Sequence, residues 1–453
     1  MSNISTNFGS DFVWGAATAS YQIEGAARED GRGESVWDRF CATPGKVRNG
    51  DDGSVACDFY HRYPEDVALM RELGLDAFRF SIAWPRVLPE GRGRVNEQGL
   101  DFYDRVVDEL LANEITPFVT LFHWDTPQAL EDRGGWPVRA TAEAFVDYAD
   151  VVARRLGDRV RFWITHNEPW VHAWVGYGWG HHAPGRKSEA DALATAHHLL
   201  LSHGLAVEAL RRESPGAQVG ITLNLDHVYP ASSDPADAEA AHQVDGFNNR
   251  WFLDPVFRGS YPEDMLQFFG DNVPDGVEDD LPTIAAPIDF VGVNNYTRSV
   301  VRADPDGGRP IFVRNPTAQY TDMDWEVAPE GLHDMLVRLS ADYEPKAIYV
   351  TENGAAYPDV RGHDGRIRDT ERQAYLEAYI GAVGRTRIAG VPLKGYFVWS
   401  LLDNFEWAWA YWKRFGLVYV DYPTLERIPK ESFHWYRELI AEQRETSVET
   451  AAP

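Results

Sequence analysis

The feature that most constrains the fold is a short run of β-forming residues that recurs eight times along the chain. The runs cover residues 12–18, 77–84, 116–124, 160–169, 218–225, 289–296, 347–354 and 393–401. Helical patterns occupy several of the intervals, at residues 63–73, 99–113, 140–156, 191–212 and 370–387. Apolar strands that alternate with helices indicate parallel strands covered by helices, and eight such units favour a closed barrel over an open sheet. We therefore predict the α/β class and a single (β/α)8 TIM barrel.

The length of the chain allows other domain organisations. At a prior of about 150 residues per domain, 453 residues would make about three domains, although barrels are an exception to this rule. A doubly wound open sheet is a second alternative, but the phosphate-binding turn GxGxxG does not follow the first run. We predict one domain over residues 1–446 and a disordered tail at 447–453. The segment 302–325 is too long for an ordinary barrel turn and is expected to overhang the barrel mouth.

The charge of the chain restricts its partners. Its 43 Lys and Arg against 70 Asp and Glu give a net charge of −27, which repels phosphate backbones and anionic lipid surfaces. No stretch of about 18 apolar residues occurs, so no membrane span is expected. The N-terminal residues lack the basic and apolar segments of a secretory signal. We predict a cytoplasmic protein without nucleic-acid or membrane partners, and its oligomeric state stays open.

Cysteine and histidine form no metal-binding pattern in the sequence. Cys41 and Cys57 lack CxxC spacing and are too few for a disulfide framework, so we interpret both as buried or half-buried small residues. The histidines at 181–182, 197–198 and 203 form no HxH or HExxH motif and are interpreted as packing or solvent-facing residues. We therefore predict no metal and no cofactor.

Polar and aromatic residues occur near the ends of five of the eight runs, and Arg79 lies within a sixth, at 77–84. They are Arg79, His123, Trp124, Asn167, Glu168, Asn294, Tyr296, Glu352 and Asn353, and Trp399 with Glu406 and Trp407 shortly after it. The active sites of parallel barrels lie at the C-terminal ends of the strands, so these side chains should share one mouth. Glu168 and Glu352 would then face a common space from different strands. Glycoside hydrolysis needs such a pair, one carboxyl to protonate the departing oxygen and one to meet the cationic sugar carbon.

Four motifs in this order resemble glycoside hydrolase family 1, the β-glucosidase-like enzymes. They are FVWGAATASYQIEG at 12–25, THNEP at 165–169, VTENG at 350–354 and RFGLVYVD at 414–421. The resemblance covers nearly the whole chain, and it implies a (β/α)8 barrel that hydrolyses β-linked sugars with retention. Glu168 matches the family's acid/base and Glu352 its nucleophile.

The resemblance also implies a subsite for the non-reducing-end sugar. Its candidate residues are Gln22, His123, Asn167, Glu406 and Trp407, with Trp399 as the stacking floor. Phe415 in the last motif completes the candidate substrate-binding set. Two positions depart from the family pattern, Asn295 and His166, and strand alternation predicts that both point away from the mouth.

Physical chemistry supports different roles for the two carboxyls. Glu168 must stay protonated, which an apolar setting of Trp124, Trp163 and Trp170 and the charge of Glu352 would favour. Glu352 must be ionised instead, and Arg79 with the Tyr296 hydroxyl would hold it so. Asn294, on the same strand end as Tyr296, joins these residues as a catalytic candidate.

We expect Trp325 and Trp170 to form the wall that contacts the leaving group, since flat aromatic faces suit aryl or glucosyl groups. The sequence thus predicts a retaining, exo-acting β-glucosidase that accepts cellobiose and aryl or alkyl β-glucosides, with activity on β-galactosides and β-fucosides and a role in cellulose degradation. The alternatives are a 6-phospho-β-glycosidase using Lys413 and Arg414, a non-catalytic sugar-binding barrel, and a metal-dependent hydrolase.

Overall fold

The computed structural model describes residue 4 and residues 6–451, with side chains up to residue 446. Along these residues the strands are β1 (Val13–Ala17), β2 (Ala77–Ser81), β3 (Thr116–Phe122), β4 (Phe162–Asn167), β5 (Gln218–Asn224), β6 (Val228–Pro230), β7 (Phe290–Asn294), β8 (Ser299–Arg302), β9 (Ile311–Phe312), β10 (Ile348–Asn353), β11 (Leu393–Trp399), β12 (Val418–Asp421) and β13 (Glu426–Pro429).

Eight of the described strands form one closed parallel barrel, in the order β1-β2-β3-β4-β5-β7-β10-β11. β1 pairs in parallel with both β2 and β11, so the sheet has no free edge. Each predicted run contains one barrel strand, and most runs extend past it by a few residues into the mouth. The predicted (β/α)8 barrel is confirmed, and the doubly wound alternative is wrong.

Helices lie between the strands along the chain, and the longer ones cover the outside of the barrel. They are α1 (Ser20–Ile23), α2 (Val36–Cys41), α3 (Phe59–Leu73), α4 (Trp84–Val87), α5 (Glu97–Ala112), α6 (Gln128–Glu131), α7 (Arg139–Leu156), α8 (Glu189–Glu213), α9 (Pro235–Asp245), α10 (Trp251–Arg258), α11 (Glu263–Phe269), α12 (Val277–Ile284), α13 (Pro329–Tyr343), α14 (Thr370–Ile388) and α15 (Glu431–Ala451). The predicted helical segments correspond to α3, α5, α7, α8 and α14. The sequence predicted a disordered tail at 447–453, whereas the described backbone of residues 447–451 continues α15; residues 452–453 lie outside the description.

Aromatic rings fill the lower half of the barrel. Phe118 packs on Phe162 with ring centroids 4.1 Å apart and on Phe397 at 4.9 Å. Gly15 of β1 makes room for this packing, because a Cβ there would lie 2.3 Å from the ring of Phe397. The dense lower half closes the barrel from below, so a ligand can enter only at the C-terminal mouth.

Three smaller features lie outside the barrel. A three-stranded sheet of β6, β8 and β9 and an antiparallel hairpin of β12 and β13 were not predicted. Within the segment 302–325, β9 folds back antiparallel onto β8, and Met323 and Trp325 border the cavity at the mouth. The segment therefore overhangs the mouth as expected.

The cysteines, the helices and the buried histidines bear on three further expectations from the sequence. Cys41 and Cys57 are both buried free thiols, as predicted. Among the described helices, none is long and apolar enough to cross a membrane. Within the same residues, no group of three or more His, Cys, Asp or Glu side chains is arranged to hold a metal ion. His197 and His203 are buried on α8 and bond to Asp280 and Thr165, so they act as packing residues.

Candidate active site

A cavity of about 430 Å³ opens at the C-terminal ends of the barrel strands. Most of the predicted site residues line it. These are His123, Trp124, Glu168, Trp170, Asn294, Tyr296, Trp325, Glu352, Trp399, Glu406, Trp407 and Phe415. Gln22, Arg79 and Asn167 are buried directly behind this wall and bond to residues that line it. The structure thus brings these fifteen candidates together.

Glu352, the predicted nucleophile, is held on both carboxylate oxygens. The guanidinium of Arg79 donates to Oε1 at 2.5 Å, and the Tyr296 hydroxyl donates to Oε2 at 2.6 Å. Arg79 is fully buried, so this ion pair is shielded from water. Such contacts favour the ionised carboxylate, as the sequence predicted.

Glu168, the predicted acid/base, has a different environment. One oxygen accepts a hydrogen bond from the Asn294 amide at 2.8 Å, and no cation contacts the carboxyl among the described residues. Burial, followed by the charge of Glu352, raises the pKa of Glu168 to about 8, while the Asn294 bond and Arg79 oppose the shift. Glu168 is therefore protonated at neutral pH.

The two carboxyls are tightly coupled, so they should ionise in sequence. Burial raises the pKa of Glu352 as well, but Arg79 and Tyr296 oppose that effect directly. Because Glu352 has a paired cation and Glu168 has none, the first proton to leave the pair comes from Glu352. The pair then consists of one carboxylate and one carboxylic acid.

One predicted neighbour of Glu168 is elsewhere. The Trp163 indole donates to the Ser214 hydroxyl at 3.3 Å, outside the barrel, so Trp163 does not contribute to the apolar setting of Glu168. The cause is an irregularity in β4, where the pairing with β5 shifts register between Ile164 and Asn167. A β-bulge of this kind reverses the alternation of side chains, so Asn167 faces inward while Trp163 faces outward.

The same shift affects the two residues that precede Asn167. His166 bonds to Ser202 of α8 and faces away from the mouth, as predicted. Thr165 bonds to His203 of α8 and faces outward too, although simple alternation would place it opposite His166. Backbone strain continues at the strand end, where Glu168 has φ of 47°. Together the bulge and this turn direct Asn167 and Glu168 into the cavity.

Two asparagines connect the carboxyls. Asn167 accepts hydrogen bonds on Oδ1 from Arg79 at 2.6 Å and from Asn294 at 3.0 Å. The Asn294 amide bonds to Glu168, and its own Oδ1 accepts from the Thr351 hydroxyl at 2.8 Å. Glu352 and the two asparagines each have at least two hydrogen-bond partners, and Asn294 holds Glu168, so the carboxyls are positioned before any ligand enters.

The structure corrects the predicted orientation of Asn295. It was predicted to point away from the mouth, but it borders the cavity. Its amide nevertheless donates to the backbone carbonyls of Leu225 and Thr297 and to neither carboxyl. Asn295 therefore ties together the loops after β5 and β7.

The deep wall of the cavity carries unpaired polar atoms. The Asn167 amide donates to Nε2 of His123 at 3.1 Å, so the proton of the neutral imidazole is on Nδ1. Burial and the charge of Arg79 keep the pKa of His123 well below its usual value. His123 Nδ1 and Gln22 Oε1 are buried and have no hydrogen-bond partner among the described residues. One is a donor and the other an acceptor, which suits the hydroxyls of a sugar.

Glu406 lies on the same wall. The Gln22 amide donates to it at 3.3 Å. Burial and the charge of Glu352 raise the pKa of Glu406 to about 8, and the Gln22 bond opposes the shift. Three carboxyls border this cavity, and among them only Glu352 is paired with a cation in the described residues.

Aromatic rings border the deep wall. Trp399 and Trp407 each stack on His123 with ring centroids 5.9 Å apart. Trp124 packs on Trp407 at 4.7 Å, and its indole donates to the Asn167 carbonyl at 2.8 Å. Trp124 and Trp407 have φ of 73° and 48°, so strained backbone presents both rings.

The outer wall comes from loops. Trp325 packs on Tyr296 at 5.0 Å and on Phe415 at 6.2 Å. Trp170 follows Glu168 and contacts the rings of Trp179 and Phe247. As predicted, Trp325 and Trp170 both border the cavity beyond the carboxyl pair.

Sequence reasoning missed several residues that border the cavity. The missed residues are Val171, Val175, His182, Asn224, Leu225, Asp226, Asn248, Thr297, Met323 and Trp409. Asn224 ends β5, so the strand-end rule that found the other candidates would have found it too. Asn248 lies in a helical insertion between β5 and β7, where no strand pattern marks it.

A buried pair of unlike carboxyls in a sugar-sized cavity, at the C-terminal mouth of a (β/α)8 barrel, defines the site of a glycoside hydrolase. Comparison with known proteins agrees. Residues 4–445 match the sequence profile of Glycosyl hydrolase family 1, and the chain belongs to this family.

Relatives cover nearly the full chain. Beta-glucosidase A of Acetivibrio thermocellus is 49% identical over 441 residues, which are 96% of this chain and 98% of that protein. A bifunctional beta-D-glucosidase/beta-D-fucosidase of Bifidobacterium breve is 45% identical over 468 residues, covering 96% of this chain and 98% of the relative. The structure of a beta-glucosidase from Thermotoga maritima in complex with glucoimidazole matches with a TM-score of 0.95 at 49% identity, covering 96% and 99% of the two chains.

Proposed function

We propose that this protein is a retaining β-glucosidase that releases terminal, non-reducing β-D-glucosyl residues. The observation that carries the proposal is the contrast between the two carboxyls of one cavity. Glu352 is bonded by Arg79 and Tyr296, whereas Glu168 has a pKa raised to about 8. The names of the relatives support the choice of glucosides.

The contacts suit a double displacement. In the first step an oxygen of Glu352 attacks the anomeric carbon while the bond from that carbon to the leaving oxygen breaks, and the proton of Glu168 moves to the leaving oxygen. The product of this step is a glycosyl ester of Glu352. In the second step Glu168, now a carboxylate, takes a proton from water, whose oxygen attacks the anomeric carbon and releases Glu352.

The neighbouring residues assist both steps without changing covalently. Arg79 and Tyr296 stabilise Glu352 as a carboxylate, which it is before attack and again after release. Asn294 keeps the Glu168 carboxyl in place. Gln22, His123, Asn167 and Glu406 would bind the glucosyl hydroxyls, and Trp399 and Trp407 would contact the C–H face of the ring.

Cellobiose and aryl or alkyl β-glucosides are the proposed substrates, with β-galactosides and β-fucosides as further ones. A bifunctional relative supports the fucoside activity. Cleavage of cellobiose would be the protein's contribution to cellulose degradation. Its cytoplasmic location stays a prediction, which fractionation of the source cells would test.

The contacts of two cations argue against a 6-phospho-β-glycosidase. Lys413 pairs with Asp322 at 3.0 Å and Arg414 with Asp403 at 2.6 Å, so neither is free to bind a phosphate. Glu406 on the deep wall, in its ionised form, would repel a phosphate group. The non-catalytic alternative is disfavoured because both carboxyls are in place.

A substrate panel tests the proposal. We expect hydrolysis of nitrophenyl β-glucoside and cellobiose, and little hydrolysis of nitrophenyl β-glucoside 6-phosphate. Activity should persist after exhaustive chelation. Preference for the 6-phosphate, or loss of activity on chelation, would contradict the proposed function.

A further inference from the structure

A second cavity lies beside the active site and is not used by the mechanism above. Its volume is about 480 Å³. Its walls include Trp174, Trp179, Phe247, Phe268 and Phe312, which we call the aromatic cleft. These residues come from the helical turn after β4, the insertion between β5 and β7, and β9.

The aromatic cleft adjoins the outer end of the active site. Trp170 and Asn248 border both cavities, so the two cavities are neighbours that share these two residues. Trp170 lies two residues after Glu168 in the sequence, and Glu168 borders the active-site cavity as well. A chain that leaves the active site past Trp170 reaches the aromatic cleft next.

The rings of the cleft combine a fixed floor with exposed edges. Trp174 packs on Phe247 with ring centroids 4.6 Å apart and on Phe269 at 5.7 Å, and it is itself buried. Trp179, Phe268 and Phe312 are 39%, 45% and 62% exposed. Large aromatic rings exposed together around one concave surface indicate a binding site rather than chance exposure.

Polar groups complete the rim of the cleft. Glu189 and Arg309 lie 3.9 Å apart, and the Gln243 and Asn248 amides border the same space. Arg309 is 84% exposed on its side chain, so its guanidinium is available to a ligand. Aromatic faces with planar donors and acceptors around them suit a sugar ring, whose faces are apolar and whose edge is hydroxylated.

We propose that the aromatic cleft binds the third and fourth glucosyl units of a β-linked gluco-oligosaccharide whose first linkage lies between Glu168 and Glu352. This inference rests on the proposed function and extends its substrates beyond disaccharides. An aryl group would use the rings but not the polar rim. A second copy of the chain is a poorer occupant than an oligosaccharide, because it would have to insert a segment into this concave space beside the mouth.

Chain-length kinetics test this inference. We expect kcat/KM to rise from cellobiose to cellotriose and cellotetraose. Phe312→Ala should lower the ratio of kcat/KM for cellotetraose to that for cellobiose by about fivefold, since one ring contact is worth roughly that factor. Phe312 is largely exposed, so the variant should fold.

Val313 provides a matched control. It is the next residue along the chain, is partly exposed, and does not border the cleft. Val313→Ala should leave the ratio for cellotetraose over cellobiose within twofold of the parent value.

The outcomes separate this inference from the proposed function. Hydrolysis of cellobiose with no gain for longer chains, or an equal ratio in Phe312→Ala and the parent, would overturn the inference and leave the β-glucosidase intact. If Phe312→Ala instead changed only KM for bulky aryl glucosides, or changed the sedimentation coefficient, the cleft would have another occupant and the inference would be wrong. No hydrolysis of any glucoside would contradict the proposed function itself.

Discussion

The inner and outer halves of the cavity are built in different ways. The inner half consists of strand ends, and its polar side chains are almost fully buried in a connected set of hydrogen bonds. The outer half consists of loops and insertions whose rings are held by ring contacts and are partly exposed. Buried, interlocked groups keep one geometry, whereas loops vary more freely. The inner half should therefore govern the chemistry and the outer half the choice of leaving group.

Glu352→Gly should produce the largest effect, because it removes the nucleophile from the inner half. Loss of a nucleophile costs on the order of 10⁵ to 10⁶ in kcat. Steady-state kinetics on nitrophenyl β-glucoside will measure the loss, and azide should restore turnover by attack from the vacated side. Thermal unfolding should show that the variant is folded.

The isosteric variant Glu352→Gln is the matched control. It keeps the volume of the side chain, so azide should not restore its activity. Substantial activity of Glu352→Gly without azide would show that another group is the nucleophile.

Glu168→Ala should cost about 10² to 10⁴ in the first step for substrates with poor leaving groups. An activated dinitrophenyl glucoside should lose much less, because its departure needs no proton. Pre-steady-state measurement of glycosylation across a series of leaving groups is the check. An equal loss for all of them would exclude Glu168 as the acid.

The pH profile offers an independent check on Glu168. Because the acid must be protonated and burial raises its pKa to about 8, kcat/KM should fall on the basic side as the pH rises through about 8, while protonation of Glu352 sets the fall on the acid side. In Glu168→Ala this basic limb should disappear for the activated substrate. Its persistence would assign the limb to another group.

Glu406→Ser should have an intermediate effect of about 1.5 to 3 kcal/mol on transition-state binding, the value of a hydrogen bond to a charged group. Burial and the charge of Glu352 raise the pKa of Glu406 to about 8. The bound sugar hydroxyls must therefore stabilise the ionised carboxylate if the contact is to contribute this whole free energy. Glucosides should lose more kcat/KM than xylosides, which lack the sixth hydroxyl. Equal losses of kcat/KM for glucosides and xylosides would show that Glu406 does not contact the sixth hydroxyl.

Trp325→Ala should have the smallest effect, because the residue belongs to the outer half. It should raise KM for cellobiose a few-fold, about 0.5 to 1.5 kcal/mol for one ring contact, and change kcat little. A minimal alkyl glucoside, which barely reaches Trp325, should be affected less. The reverse order would show that Trp325 does not contact the leaving group.

The inner half was predictable from the sequence, since parallel barrel strands place their closing residues at one mouth. Glu168 and Glu352 follow from that rule, and Arg79, in the middle of β2, follows from the positive charge that an ionised Glu352 needs. Trp163 was assigned wrongly because a bulge in β4 reverses the alternation, and nothing in the run 160–169 marks the bulge. The outer half was only partly predictable. Trp170 and Trp325 were found, but Asn248 and Phe312 lie in segments without strand or helix periodicity that points to the site.

The central claim is a double displacement with Glu352 as nucleophile, and the anomer released first tests it most directly. Retaining enzymes have carboxyls about 5 to 5.5 Å apart, and inverting enzymes need about 6.5 to 9.5 Å to hold a water between carboxylate and sugar. Proton NMR of a fresh hydrolysis mixture, recorded before mutarotation, distinguishes the two. We expect β-glucose to appear first. Early appearance of α-glucose would contradict the glycosyl ester on Glu352, even if both carboxyls proved essential.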